Sequence, residues 1–241
     1  MLQKLEEMNI FMKSEGDKKS KKETPDEYRI KESKDQIKET LGINNIKLLD
    51  TSSKILNEIL FESKEKLWWI YVSTLSNYID WLYTHSINVA LISVMLGKAL
   101  HMEDGLQDLA IGSFFHDIGK LMIPKNIIQK KGSLTEEEMF YIRQHCDLGI
   151  SMVSDFRFSR RSKDIIHQHH ERLDGSGYPL GLKSEQIPLH TRIVMIADIL
   201  DAITAYRPYK EPEQIEIALQ ELQGEPQKYP QEIINTFKEF L

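Results

Sequence analysis

Residues 106–120 read LQDLAIGSFFHDIGK. Leu106 to Phe115 has the length and apolar content of a helix, and it runs straight into the adjacent pair His116-Asp117, with Gly119-Lys120 behind. Toward the N-terminus the same reading repeats. Ile87, Ala90, Leu91, Val94, Met95 and Ala99 share one helical face, with His85 at the start of that helix. Trp69, Val72, Leu75, Tyr78, Ile79 and Leu82 suggest another helix, and Leu48, Leu49, Ser52, Ile55, Leu56 and Ile59 one more. Toward the C-terminus, helices are expected over Leu134 to Ile150, opened by a Ser133 or Thr135 cap, and over Arg161 to His170, ended by the Asp174-Gly175 turn. Leu189 to Ala205, about Pro212 to Leu222 and about Pro230 to Phe240 complete the set. The one candidate for extended structure is a short turn-linked pair between Gly177 and Ile187. The fold class is therefore an all-α bundle, without internal repeats.

The 241 residues leave room for one good-sized domain and an appendage. A hydrophobic share of 41% and a charged share of 28% are those of an ordinary folded protein. The net charge of −6 argues against general attraction to a nucleic-acid polymer or an anionic membrane, so phosphate would have to be bound locally by a few cations or metals. Cys146 is the one cysteine, so no disulfide can form within the chain, in keeping with a cytoplasmic location. Neither a signal peptide nor a membrane span is expected: Met1 to Ile30 is rich in Lys and Glu, and the apolar patch Leu67 to Val72 is too short to cross a bilayer. Residues 1–45, with the KKSKKE run at Lys18 to Glu23, read as a charged segment, either disordered or helical. Residues 46–80 read as an N-terminal helical region, and the rest as the main domain.

The eight histidines are not scattered. His85, the pair His116-Asp117, His145 and the pair His169-His170 fall on separate helices or helix ends, and Asp198 sits inside the apolar stretch Ile193 to Ile199. Taken singly, each is ordinary: a helical His is usually a core or surface residue, and a buried Asp usually pairs with a cap or an Arg. Together they form a donor set. A buried carboxylate is costly unless it is paired or bound to metal. Imidazole and carboxylate suit Fe, Mn, Zn, Ni or Co. The absence of a multi-cysteine pattern argues against structural zinc. Seven candidate ligands exceed the needs of one tetrahedral ion and fit two ions sharing a carboxylate, an arrangement suited to phosphoryl chemistry.

The segments His116-Asp117-Ile118-Gly119-Lys120 and His169-His170-Glu171-Arg172-Leu173-Asp174-Gly175-Ser176-Gly177-Tyr178-Pro179 make the resemblance specific, and Arg207-Pro208-Tyr209-Lys210 extends it. In this order they resemble the HD-GYP family, a subgroup of the HD phosphohydrolases whose known members degrade cyclic di-GMP. The resemblance covers about residues 84–210. It implies an HD-domain helical bundle with extra C-terminal helices and a short GYP loop, with the catalytic domain at 81–241. It implies the ligands His85, His116, Asp117, His145, His169, His170 and Asp198, with Asp117 bridging. The cofactors would be two divalent transition metal ions, Fe or Mn. Some family members hold a third metal through a Glu one turn before the first His. Trp81 occupies that position here and Asp80 is one residue off, so two metals are expected.

The function implied is hydrolysis of cyclic di-GMP to linear pGpG, with further hydrolysis to GMP left open, by a hydroxide bridging two metals. Asp117, Lys120 and Asp201 would be catalytic, with Lys120 paired to Asp201 as in the family. Lys120, Tyr178, Arg207 and Lys210 would contact substrate, Arg207 and Lys210 through a phosphate and Tyr178 through a guanine, with a purely structural loop supporting the ligand pair as the alternative for Tyr178. His101, His167 and His190 match no family position. A catalytically weak sensor or docking module is an alternative, as is an HD phosphohydrolase acting on another nucleotide. A protein partner at the GYP loop and a homodimer are both compatible with the sequence.

Overall fold

The computed structural model describes residues 25–60, 66–102, 104–207 and 211–241. The KKSKKE run and Lys210 lie outside them. Among the described residues the chain is all-helical: α1 (Pro25–Thr40), α2 (Ile46–Leu60), α3 (Trp69–Tyr78), α4 (Asp80–Ala99), α5 (Leu106–Phe115), the 3₁₀ turn η1 (Ile118–Met122), α6 (Lys125–Ile128), α7 (Glu136–Arg143), α8 (His145–Val153), α9 (Arg160–Gln168), the 3₁₀ turn η2 (Ser184–Gln186), α10 (Leu189–Thr204), α11 (Ile215–Gly224) and α12 (Gln231–Lys238).

The long helix α4 is the centre of the bundle. From Ile87 to Leu96 every residue is buried, as expected for a helix that is apolar all round. It packs against α5, α10, α2, α1 and α3. The second axis is α10, which buries Ile193 to Asp198 and lies against α4 and α9. Polar residues on these two helices thus face the interior, which is where the chemistry collects.

Several boundaries differ from the sequence reading. Ile79 adopts extended backbone (φ −145°, ψ 116°) and separates α3 from α4. His85 is therefore well inside α4 rather than at its start. The helix expected over Leu134 to Ile150 is two helices. Thr135 caps the first with a reciprocal capping box, its Oγ1 accepting from Glu138 N–H at 3.2 Å while the Glu138 carboxylate accepts from Thr135 N–H at 2.8 Å. The break at Gln144 lets α8 begin on His145. α9 ends at Gln168, leaving His169 and His170 on the turn that follows. In place of the extended pair near Gly177 to Ile187 there is a single antiparallel bridge, Asp174 to Lys183.

The charged N-terminal segment contributes to the core from α1 onward. Ile30, Ile37 and Leu41 are buried along one side, and α1 packs on both α2 and α4. Its outer face is held by Arg29 to Asp80 at 2.6 Å and Lys34 to Asp50 at 3.0 Å. No helix among the described residues is long and apolar enough to cross a membrane.

Candidate metal centre

Five elements deliver the donors. His85 comes from α4, His116 and Asp117 from the end of α5, His145 from the first position of α8, His169 and His170 from the turn after α9, and Asp198 from α10. One close approach makes this convergence work. A Cβ on Gly119 would lie 2.0 Å from the His145 carbonyl oxygen and 2.6 Å from Gly149 N, so only glycine lets η1 pass against α8 and bring His145 to Asp117.

The seven residues gather as two adjoining groups, His85, His116 and Asp198 in one and Asp117, His145, His169 and His170 in the other. Asp117 faces both. Its Oδ2 is 3.4 Å from His116 Nε2 and 3.6 Å from His85 Nε2, while its Oδ1 is 3.3 Å from His145 Nε2 and 3.8 Å from His169 Nε2. Asp198 is divided likewise, with Oδ1 3.2 Å from His85 Nε2 and Oδ2 3.8 Å from His170 Nδ1.

The outer nitrogens fix the rings. Nδ1–H donates to the Ser113 carbonyl in His116 (2.6 Å), to the Ile142 carbonyl in His145 (2.6 Å), to the Ile165 carbonyl in His169 (3.2 Å) and to the Asp201 carboxylate in His85 (2.5 Å). Each Nε2 is then left as a lone pair aimed inward, the tautomer a metal requires. Burial lowers the pKa of His145 to about 4. It also holds His169 and His170 well below the ordinary imidazole value, with neighbouring imidazoles adding to the effect. All three are neutral at pH 7. Burial pushes Asp117 and Asp198 upward, but polar neighbours outweigh it and hold both well below the usual carboxylate range: chiefly the Lys120 ammonium for Asp117 and the His85 ring for Asp198. His85 moves the other way, because Asp198 and Asp201 together overcome its burial.

These residues fit divalent cations. The Nε2 atoms of His145 and His169 are 3.2 Å apart, and with both Nδ1 positions protonated they are two lone pairs facing each other. His116 Nε2 and Asp117 Oδ1 are buried without a hydrogen-bond partner, one in each group. Unsatisfied buried acceptors are costly, and a cation between them removes the cost.

Lys120 Nζ donates to Asp117 Oδ2. Asp201 accepts from His85 Nδ1–H and, at 2.7 Å, from Asn88 Nδ2–H. The Lys120–Asp201 pair expected from the family is therefore not formed: Asp201 lies behind His85, on the side away from the donors' lone pairs. Tyr178 stacks on His170 (centroids 4.7 Å, interplanar 28°) with the Arg143 guanidinium 5.2 Å from its ring. The Arg207 guanidinium lies 5.2 Å from the Trp81 ring and 3.4 Å from His85 Nδ1. Asp80 is occupied on the surface by Arg29. His167 pairs with Asp147 at 2.8 Å and His190 lies near Asp164, both outside the cluster.

Glu171 is the residue sequence reasoning passed over. It is fully buried, and its two carboxylate oxygens accept from Leu180 N–H (2.7 Å) and Leu182 N–H (2.9 Å). A Cβ on Gly177 would meet the Glu171 backbone at 2.4 Å, so the loop folds tightly back over the residue next to His170. The available signal was a carboxylate set directly between the histidine pair and a loop with two glycines.

A family model described as HD domain matches residues 71–233. The chain belongs to the HD domain family, and its HHERLDGSGYP segment puts it in the HD-GYP subgroup. A cyclic di-GMP phosphodiesterase of Thermotoga maritima is 35% identical over 185 residues, 75% of this chain and 49% of that protein. One from Pseudomonas aeruginosa is 40% identical over 133 residues, 54% of this chain and 32% of that protein. The chain thus spans half or less of the length of these relatives. Among solved structures, an HDG"Y"P protein from Bdellovibrio bacteriovorus shares the fold with a TM-score of 0.60 at 20% identity, covering 92% of this chain and 74% of that one.

Proposed function

We propose that this chain is a cytoplasmic, metal-dependent phosphodiesterase that hydrolyses cyclic di-GMP to linear pGpG. The observation that carries the reading is the division of Asp117: one oxygen faces His85 and His116, the other His145 and His169. That is the donor pattern of two ions sharing a carboxylate, with Trp81 in place of a ligand for a third. Fe or Mn suits the nitrogen and oxygen donors. Two such ions, when bound, supply Lewis acidity and a hydroxide nucleophile at neutral pH.

The chain's own residues account for the rest. The fixed tautomers keep four Nε2 lone pairs directed inward without reorganisation. Lys120, beside Asp117, is placed to offset negative charge that develops on a phosphate oxygen. Arg207 offers a planar guanidinium to the second phosphate, while Tyr178 closes the His170 side. Asp201 and Asn88 hold His85 in orientation. The nucleotide is inferred from the relatives named for cyclic di-GMP. A protein docking at the GYP loop is a further part of the reading.

A second substrate has an observation behind it: a 3′3′-cGAMP-specific phosphodiesterase of Vibrio cholerae is 41% identical over 99 residues, 40% of this chain and 19% of that protein. The test is product chromatography after incubating manganese-loaded protein with each cyclic dinucleotide in turn. Faster loss of cyclic di-GMP with accumulation of pGpG is expected. Preferential loss of 3′3′-cGAMP would replace the substrate, and no loss of either would overturn the reading.

A further inference from the structure

A cavity of about 250 Å³ opens beside the metal centre. Its walls are Trp81 from α4, Ile127 and Ile128 from α6, Leu134 just before α7, and Ile142 from α7. Three cations, Lys120, Lys130 and Arg207, line it as well. Lys120 ties it to the chemistry, since its Nζ sits on Asp117. Trp81 ties it to Arg207, whose guanidinium lies over the indole at 5.2 Å from the ring centroid.

We propose that this cavity is a subsite for one purine base of the substrate, with Trp81 as its aromatic wall. This rests on the reading of the chain as a cyclic-dinucleotide phosphodiesterase. An apolar lining with an indole on one side suits a base, whose faces stack and whose polar edge can stay wet. A sugar or a bare phosphate has no use for Ile127, Ile128 and Ile142. Sites that enclose drug-sized ligands run to roughly 300–1,000 Å³, so this smaller space holds one base and leaves the remainder of a dinucleotide outside. The cations fit that division: the ribose of the seated base carries both phosphates, one for Lys120 at Asp117 and the second for Arg207. Lys130 is already neutralised by Glu138 at 2.5 Å and serves as a wall. Trp81 thereby has a role of its own at the position where some relatives carry a metal ligand: it stacks the base and keeps Arg207 alongside.

The test compares two probes on the metal-loaded full chain by calorimetry: guanosine 5′-monophosphate and ribose 5-phosphate, which lacks the base. In the wild type the nucleotide is expected to bind about 10-fold or more tighter. That advantage should collapse in Trp81→Leu and in Leu134→Asp, which alters the cavity from another wall, and return in Trp81→Phe. Equal binding of both probes by the wild type would overturn the subsite, as would an advantage that survives Trp81→Leu. Cyclic di-GMP turnover is scored separately. Turnover without a base-dependent advantage removes the subsite and leaves the proposed function. A Trp81-dependent advantage without turnover removes the function and leaves a purine subsite.

Discussion

Replacing Gly119 by alanine adds one methyl group at the most crowded backbone contact beside the centre. The new Cβ would stand 2.0 Å from the His145 carbonyl oxygen, 2.6 Å from Gly149 N and 2.8 Å from the His145 carbonyl carbon. All three are main-chain atoms, so no rotamer change relieves the clash. Reaching even 3.0 Å requires η1 and α8 to separate by about 1 Å. Overpacking of a core costs about 1–3 kcal/mol, and a backbone-to-backbone clash belongs at the upper end. For a chain of this size about 3 kcal/mol lowers Tm by roughly 6–12 °C. The movement also carries His145 away from Asp117 Oδ1, from which it is now 3.3 Å. Gly119→Ala should therefore lose metal at the group of His145, His169 and His170 first, while the group of His85, His116 and Asp198 retains its ion. Calorimetric melting, together with metal analysis of the purified variant, reads both effects. A Tm within about 2 °C of wild type, with full metal content, would refute the reasoning.

Three further outcomes are expected. Asp201→Ala removes the acceptor that fixes the His85 tautomer and should weaken metal affinity about 10- to 100-fold with the fold retained; competition with a calibrated chelator measures it. Metal-stripped protein should lose stability on acidification. The unfolded chain takes up a proton at His145 near pH 6.5, whereas the folded chain resists until about 4, so stability rises with pH through that window. His145 alone should cost about 2 kcal/mol between pH 7 and pH 5, with His169 and His170 acting in the same direction, and urea denaturation at the two pH values should reveal it. Glu171→Ala strands two loop amides and should destabilise by about 3 kcal/mol, with faster hydrogen exchange at Leu180 and Leu182 as the specific sign.

The helical fold was legible wherever one face of a segment is apolar. Leu106 to Phe115 has the observed ends, and the helices after Pro188, Gln214 and Pro230 lie close to their expected places. The breaks were less visible. Nothing in the apolar pattern of Trp69 to Leu82 marks Ile79, because the helices on both sides of its extended backbone are apolar. The buried side of α1 was hidden by composition: Ile30, Ile37 and Leu41 form a narrow seam in a segment that is otherwise charged. At the centre, all seven candidate donors converge, because the motifs fix residue type and helix position together. The supporting residues were harder to read. Asp201 turns toward His85 and Asn88 rather than Lys120 because α10 lies directly against α4, a contact between residues over a hundred positions apart. Gly119 is silent in sequence for the same reason: the atom it must avoid belongs to His145.

The central claim is two ions sharing Asp117 in a phosphodiesterase. Its most direct test is metal analysis of anaerobically purified protein, with cyclic di-GMP turnover measured on the same sample and on Asp117→Ala. The account predicts about two ions per chain with turnover in the wild type, and loss of both metal and turnover in the variant. Wild-type protein that binds no metal, or an Asp117→Ala variant that keeps two ions and full turnover, would contradict it.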